Sequence, residues 1–148
     1  MSLRAAMAAV AEVAGEVDGI TAWYPTFQPT VPEWPSVMAL SGNGTTGIAD
    51  VPATNYLHNH NVRLWLLYAP DSTDGTAAMA GLSEVLSPLI EHLYESWART
   101  PRHPLLSWIR RLGPITYTTE TGLAVGGSTF YGAEIIVAVQ EDRRVAHP

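Results

Sequence analysis

Apolar residues at Leu3, Met7, Val10, Ala14 and Val17 recur at helical spacing while Arg4, Glu12 and Glu16 fall on another row, which predicts an opening amphipathic helix. Ser2 stands where it would cap that helix and Gly19 where it would stop it. The apolar face is narrow and flanked by Ala5, Ala6, Ala9 and Ala11, so another element is expected to approach closely. Short strands are predicted over Ile20 to Tyr24 and over Ser36 to Leu40. From His60 to Ala69, Val62, Leu64, Leu66 and Tyr68 alternate with Arg63, Trp65, Leu67 and Ala69. Apolar residues on both faces predict a central strand covered on both sides.

Asp71 to Gly75 supplies turn and capping chemistry before the strongest helical pattern, a broad stripe of Leu82, Val85, Leu86, Leu89, Ile90, Leu93 and Trp97. Pro88 lies within it and is expected to bend the helix, because it removes one amide donor and crowds the Glu84 carbonyl. The segment PRHPLLSWIRRLGP is expected to form a short helical turn opened by Pro104 and closed before Gly113. Ile115, Tyr117 and Thr119 then alternate as a strand, Gly126-Gly127 turns the chain, and Ala133, Ile135, Val137 and Val139 define a last strand. The closing EDRRVAHP is expected to fray, leaving a flexible tail over 143–148.

The order predicts one α+β domain over 1–148: an antiparallel or mixed sheet of about four to five strands, with an N-terminal helix and a long central helix packed on it. Two segments stand apart. Between Ile20 and Leu40, ITAWYPTFQPTVPEWPSVMAL interrupts any regular ladder with Pro25, Pro29, Pro32 and Pro35, and reads as an extended arm over 20–40. Trp23, Phe27 and Trp34 on it either fill grooves of their own domain or anchor a neighbour. The 41–57 segment, rich in Gly, Thr and Asn and carrying Asn43-Gly44, is compatible with a loop or a projecting hairpin.

Composition removes options more than it selects one. The absence of cysteine excludes thiol catalysis, disulfide scaffolding and cysteine-based zinc sites. No run approaches the apolar length of a membrane span, and Glu12 and Glu16 interrupt what would be the core of a signal peptide. A net charge of −6, with every basic residue an arginine, argues against a tight grip on nucleic acid and is compatible with a surface that DNA slides past.

His58 and His60 share one face of a strand, as a metal pair requires, but two ligands do not make a site, and polar residues at a strand start explain them equally. Ser83 with Glu84, or Ser107 with His103, has generic spacing and no nucleophile elbow; the glycines of SGNGTTG and AVGGS open no phosphate loop. No catalytic, metal or cofactor site is therefore assigned, and an enzyme is not expected. Arg99, Arg102, Arg110 and Arg111 interleave with Trp97 and Trp108, a pattern that fits either nucleic-acid stacking or helix-end electrostatics at a protein interface. The second is the simpler.

Three stretches carry a resemblance: the opening MSLRAAMAAVAEVAGEVDGITAWYP, the PEWPSVMAL that enters the sheet, and the closing STFYGAEIIVAVQ, with VRLWLLYAP and its helix in matching order. In these the chain resembles the tail-terminator proteins of long-tailed bacteriophages, particularly those infecting actinobacteria. Its most specific step is Tyr131-Gly132-Ala133-Glu134 before an apolar strand, whereas Pro88 and the PRHPLLSWIRRLGP segment match no family feature. The resemblance implies a small α+β virion subunit, made in the host cytoplasm, that closes a homo-hexameric ring at the neck. Its partners would be itself, the tail tube protein and a head-completion or stopper protein, with DNA only as passing cargo and no membrane or cofactor. The alternatives are a head-side connector or stopper and a small metal- or ligand-binding domain. Candidate partner-binding residues are Trp23, Phe27, Trp34, Asn43, Arg110, Arg111, Arg143 and Arg144.

Overall fold

The computed structural model describes the backbone of residues 3–40, 44–48 and 55–144, and the side chains of 3–40 and 58–141. The chain forms α1 (Leu3–Ala14), β1 (Ala22–Tyr24), β2 (Ser36–Leu40), β3 (Gly44–Ile48), β4 (Asn55–Pro70), α2 (Gly75–Ala98), a 3₁₀ turn at Pro104–Leu106, β5 (Arg111–Val125) and β6 (Ser128–Arg144). The α+β class follows as the pattern predicts. Among the described residues the mixed sheet holds six strands, in the order β1-β2-β4-β6-β5 with β3 beside β4, against the expected four to five.

Its spine is the antiparallel β4–β6 ladder, from Asn55 opposite Arg144 to Pro70 opposite Phe130. Val62, Leu64 and Leu66 on β4 and Ala133, Ile135, Val137 and Val139 on β6 turn one face toward the helices, where Leu82, Leu86, Leu89 and Leu93 of α2 and Met7, Val10 and Ala14 of α1 complete the main core. Each fully buried Leu, Ile or Val contributes about 1.5–3 kcal/mol relative to exposure, so this layer dominates the stability. The face of α1 is broader than predicted: Ala6, Ala9, Ala11 and Val13 are buried too, since small side chains let α1 pack against α2 and the sheet together. The helix also stops earlier, at Ala14, while Gly19 at φ 97° turns the chain further on. Asp74 caps α2 by accepting a 3.0 Å hydrogen bond from the Thr76 amide. The α2 helix continues through Pro88, whose ring is exposed.

On the opposite face Met38, Leu67, Leu123, Val125 and Phe130 form a smaller cluster, closed by Tyr24, Val31, Leu40 and Trp65. Val31 belongs to the arm, which therefore folds back over its own sheet. At the β5–β6 turn Gly126 and Gly127 have φ of 56° and 81°, the left-handed values that a two-residue hairpin turn requires. A side chain on Gly126 would strike the Pro29 carbonyl, so the arm's backbone lies directly on this turn. In the Tyr131-Gly132-Ala133-Glu134 step, a side chain on Gly132 would meet the Leu66 carbonyl beside the β4 irregularity at Leu67/Ala69. Glycine is needed there for close strand approach.

One further expectation is corrected, and one open between two alternatives is decided. Residues 143 and 144 belong to β6, paired with Tyr56 and Asn55, so the frayed tail over 143–148 does not begin before 145. The backbone resists fraying because β4 supplies a ladder partner at each position. The 41–57 segment contains β3, which pairs antiparallel with the first half of β4 from Gly44–His60 to Ile48–Tyr56, and so forms a hairpin.

Candidate interaction surfaces

The structure spreads the predicted partner-binding residues over several surfaces. Trp23 lies on β1 with its ring against Gly15 at the end of α1, and is 38 % exposed. Phe27 and Trp34 are 54 % and 45 % exposed on the arm, and Trp34 meets Phe130 edge-on at 6.2 Å between ring centroids. The three aromatics thus touch their own domain and still present ring surface to solvent. Asn43 lies outside the described residues, as do the side chains of Arg143 and Arg144 at the end of β6.

Arg110 and Arg111 are exposed where the chain enters β5, and the Arg110 amide donates to the Gln140 carbonyl at 2.7 Å. Arg111 lines an open groove of about 630 Å³ with Asn59, Asn61, Tyr94, Pro114 and Gln140. Gly113 and Pro114 sit at a register irregularity between Leu112 and Ile115, a place where a strand tolerates proline.

The Trp–Arg cluster has an internal use. Arg102 stacks 4.6 Å over the Trp97 ring and donates through Nε to the Trp97 carbonyl and through a terminal nitrogen to the Ile109 carbonyl, each at 2.8 Å. The Trp97 indole donates to the same Ile109 carbonyl, and the Trp108 indole to the Leu105 carbonyl. Both tryptophans are half-buried and locally satisfied, which favours helix-end electrostatics over a base-stacking platform.

The His58 and His60 rings lie 4.1 Å apart on one face, as their spacing predicts. His60 is buried, 2.9 Å through Nε2 from Glu141 of β6, and Trp108 stands edge-on to it. A second carboxylate–imidazole cluster joins three elements. Glu16 after α1 takes His92 of α2 at 3.0 Å and His103 ahead of the 3₁₀ turn at 3.0 Å. His103 accepts the Leu105 amide at Nδ1, so in the neutral ring Nε2 carries the proton and donates to Glu16. A metal at Nε2 would require the opposite tautomer. Among the described residues no group of three His, Asp or Glu side chains is arranged to hold a metal ion.

Burial works to raise the Glu16 pKa, but the His103 and His92 hydrogen bonds outweigh it and hold the carboxyl below the usual glutamate range. Glu134, in the resemblance motif, is lowered by hydrogen bonds from the Trp65 indole and Arg63, both at 3.0 Å, against a smaller effect of burial.

Sequence reasoning missed three exposed features: Tyr94 on α2, Tyr117 on β5 at 55 % exposure, and the length of β5 as an edge strand. The alternation of Ile115, Tyr117 and Thr119 was the available signal for the last two. Among the described residues no helix is long and apolar enough to cross a membrane. Comparison with protein-family models and with curated proteins gives no match to this chain.

Proposed function

We propose that this chain is a structural subunit that closes a ring, acting as a tail terminator at the head-proximal end of a long phage tail. The observation that carries the reading is a pair of unlike exposed aromatic patches toward opposite ends of one sheet. Trp23 marks the β1 edge, while Tyr117 and Tyr94 mark the β5 edge. A head-to-tail ring needs two different complementary surfaces on each subunit, and aromatic residues are enriched at such contacts. The resemblance in the opening, PEWPSVMAL and STFYGAEIIVAVQ stretches supplies the identity of the ring.

In this role the subunit works by geometry, without a chemical step. One face of a homo-hexamer stops growth of the tail tube and the other receives a head-completion protein. DNA passes through without being gripped, a task that the net charge of −6 suits. The test is a virion preparation lacking this protein. Overlong, headless tails are expected. Tails of normal length rule the terminator role out, and if they accompany filled heads that leak DNA, the subunit belongs on the head side as a connector or stopper.

A further inference from the structure

His103 uses both of its ring nitrogens at once. Nδ1 accepts the Leu105 amide at 3.1 Å and so caps the 3₁₀ turn, while Nε2 lies 3.1 and 3.0 Å from the two carboxylate oxygens of Glu16. The His103 side chain is only 11 % exposed. Once Nε2–H points at a carboxylate, an imidazole has one place left for a second proton, and that place is Nδ1. The new N–H would face the Leu105 N–H, donor against donor. A charged His103 ring and a capped turn therefore exclude each other.

The turn has little else to hold its first residues. Its own main-chain bonds run from the Leu106 amide to the His103 carbonyl at 2.9 Å and from the Ser107 amide to the Pro104 carbonyl at 3.4 Å, the second near the limit of a hydrogen bond. Yet this turn seats Leu106 and Ile109 in the main core and leads straight to Arg110, whose amide joins β6 through the Gln140 carbonyl, and to Arg111 on the open groove. Charged groups of both signs surround the ring. Glu16 and Asp18 after α1 share one recess with Glu91, His92 and Glu95 of α2, and Arg99 stands in the next recess with His92 and Glu95. The Arg102 guanidinium is turned to the Trp97 ring and the Ile109 carbonyl. On the sheet side His60 is paired with Glu141, with Trp108 edge-on to it. Glu16 is the group that touches His103 directly. Its carboxyl is held below the usual glutamate range, so it stays ionised in mild acid and keeps Nε2 engaged whether the ring is neutral or charged.

We infer that His103 is a proton-operated latch: uptake of a proton at Nδ1 releases the Leu105 amide and loosens the Pro104–Leu106 turn, while Nε2 keeps the ring tied to Glu16. An imidazole changes charge between about pH 5 and 8, so the latch works across mild acidification. The surface whose support changes with pH is the start of β5, where Arg110 and Arg111 are exposed. The latch is independent of the ring-forming reading.

The test follows the full, isotope-labelled chain by NMR from about pH 8 down to about pH 5, the range in which an imidazole titrates. At the upper end the His103 ring nitrogens should report the neutral Nε2–H tautomer. As the ring gains its second proton, the Leu105 amide should shift with the same midpoint. Once the intrinsic pH dependence is removed, that amide should also exchange with solvent about fivefold faster, the scale on which a lost cap acts. His103→Asn places Oδ1 where Nδ1 stands, so it keeps the cap and takes up no proton. Its Leu105 amide should hold its protection across the whole range. A wild-type His103 ring that stays neutral throughout overturns the proposal, as does one that charges while the Leu105 amide keeps its shift and protection. Loosening that persists in folded His103→Asn also overturns it, because the switch would then lie at His92 or Glu16. The wild-type titration decides by itself if that variant does not fold.

Discussion

Ser36 opens β2 with no solvent exposure, and its Oγ has no hydrogen-bond partner among the described residues. A buried hydroxyl left without a partner costs about 1–3 kcal/mol, so Ser36→Ala is expected to raise stability by about 1 kcal/mol in urea titration. An unchanged or lower midpoint would mean that the hydroxyl is satisfied. Glu16 acts in the other direction. Its folded pKa lies below the unfolded value near 4.5, so its contribution is complete above that pH and is lost as pH falls through the lower folded value. Because the carboxylate side chain is 42 % exposed, the contribution stays below about 1 kcal/mol. Glu16→Gln is expected to lower stability at neutral pH and to converge with wild type in the acid limb, measured as urea midpoints from neutral pH to below the carboxylate range. A gap that persists in acid would show that the change acts through packing. Neither cluster was legible in the sequence. His60 and Glu141 are 81 residues apart, Glu16 and His103 are 87 apart, and no local pattern reports a pairing that the sheet register creates.

At the scale of elements, the hairpin turn and the arm depend on each other. Gly126 and Gly127 both have positive φ, but a side chain on Gly126 would also strike the Pro29 carbonyl, while Gly127 faces open space. Gly127→Ala is expected to cost about 1 kcal/mol, the ordinary penalty for a left-handed non-glycine residue. Gly126→Ala should cost about 1–2 kcal/mol more and speed proteolysis near Pro29, because backbone cannot yield as a flexible side chain does. Equal losses would show that the arm does not rest on the turn. The Gly-Gly pair was readable because few residues adopt its conformation. Helix α2 and the cores of β4 and β6 were readable because one buried face imposes a period on their sequences. β3 and the middle of β5 were not readable in extent, since Gly, Thr and exposed Tyr at a sheet edge carry no burial pattern.

For the whole molecule, the arm and the β5 edge separate by their dependence on concentration. Trp34 packs against Phe130 of its own chain, so Trp34→Ala removes an intramolecular contact worth about 1 kcal/mol and should lower Tm equally at every protein concentration. A contact between copies behaves differently, because assembly stabilises only the folded state and its effect grows with subunit concentration. Wild-type Tm is expected to rise by about 9 °C as the concentration climbs to about a hundredfold above the dissociation constant, the shift that about 2.7 kcal/mol of linkage produces in a domain of this size. Tyr117→Ala, which removes an exposed ring from the β5 edge, should reduce that slope while matching the wild-type Tm at the lowest concentration, where both are monomers. If Trp34→Ala flattens the slope and Tyr117→Ala leaves it, the exposed half of the Trp34 ring carries the contact between copies, and the arm rather than the β5 edge joins the ring.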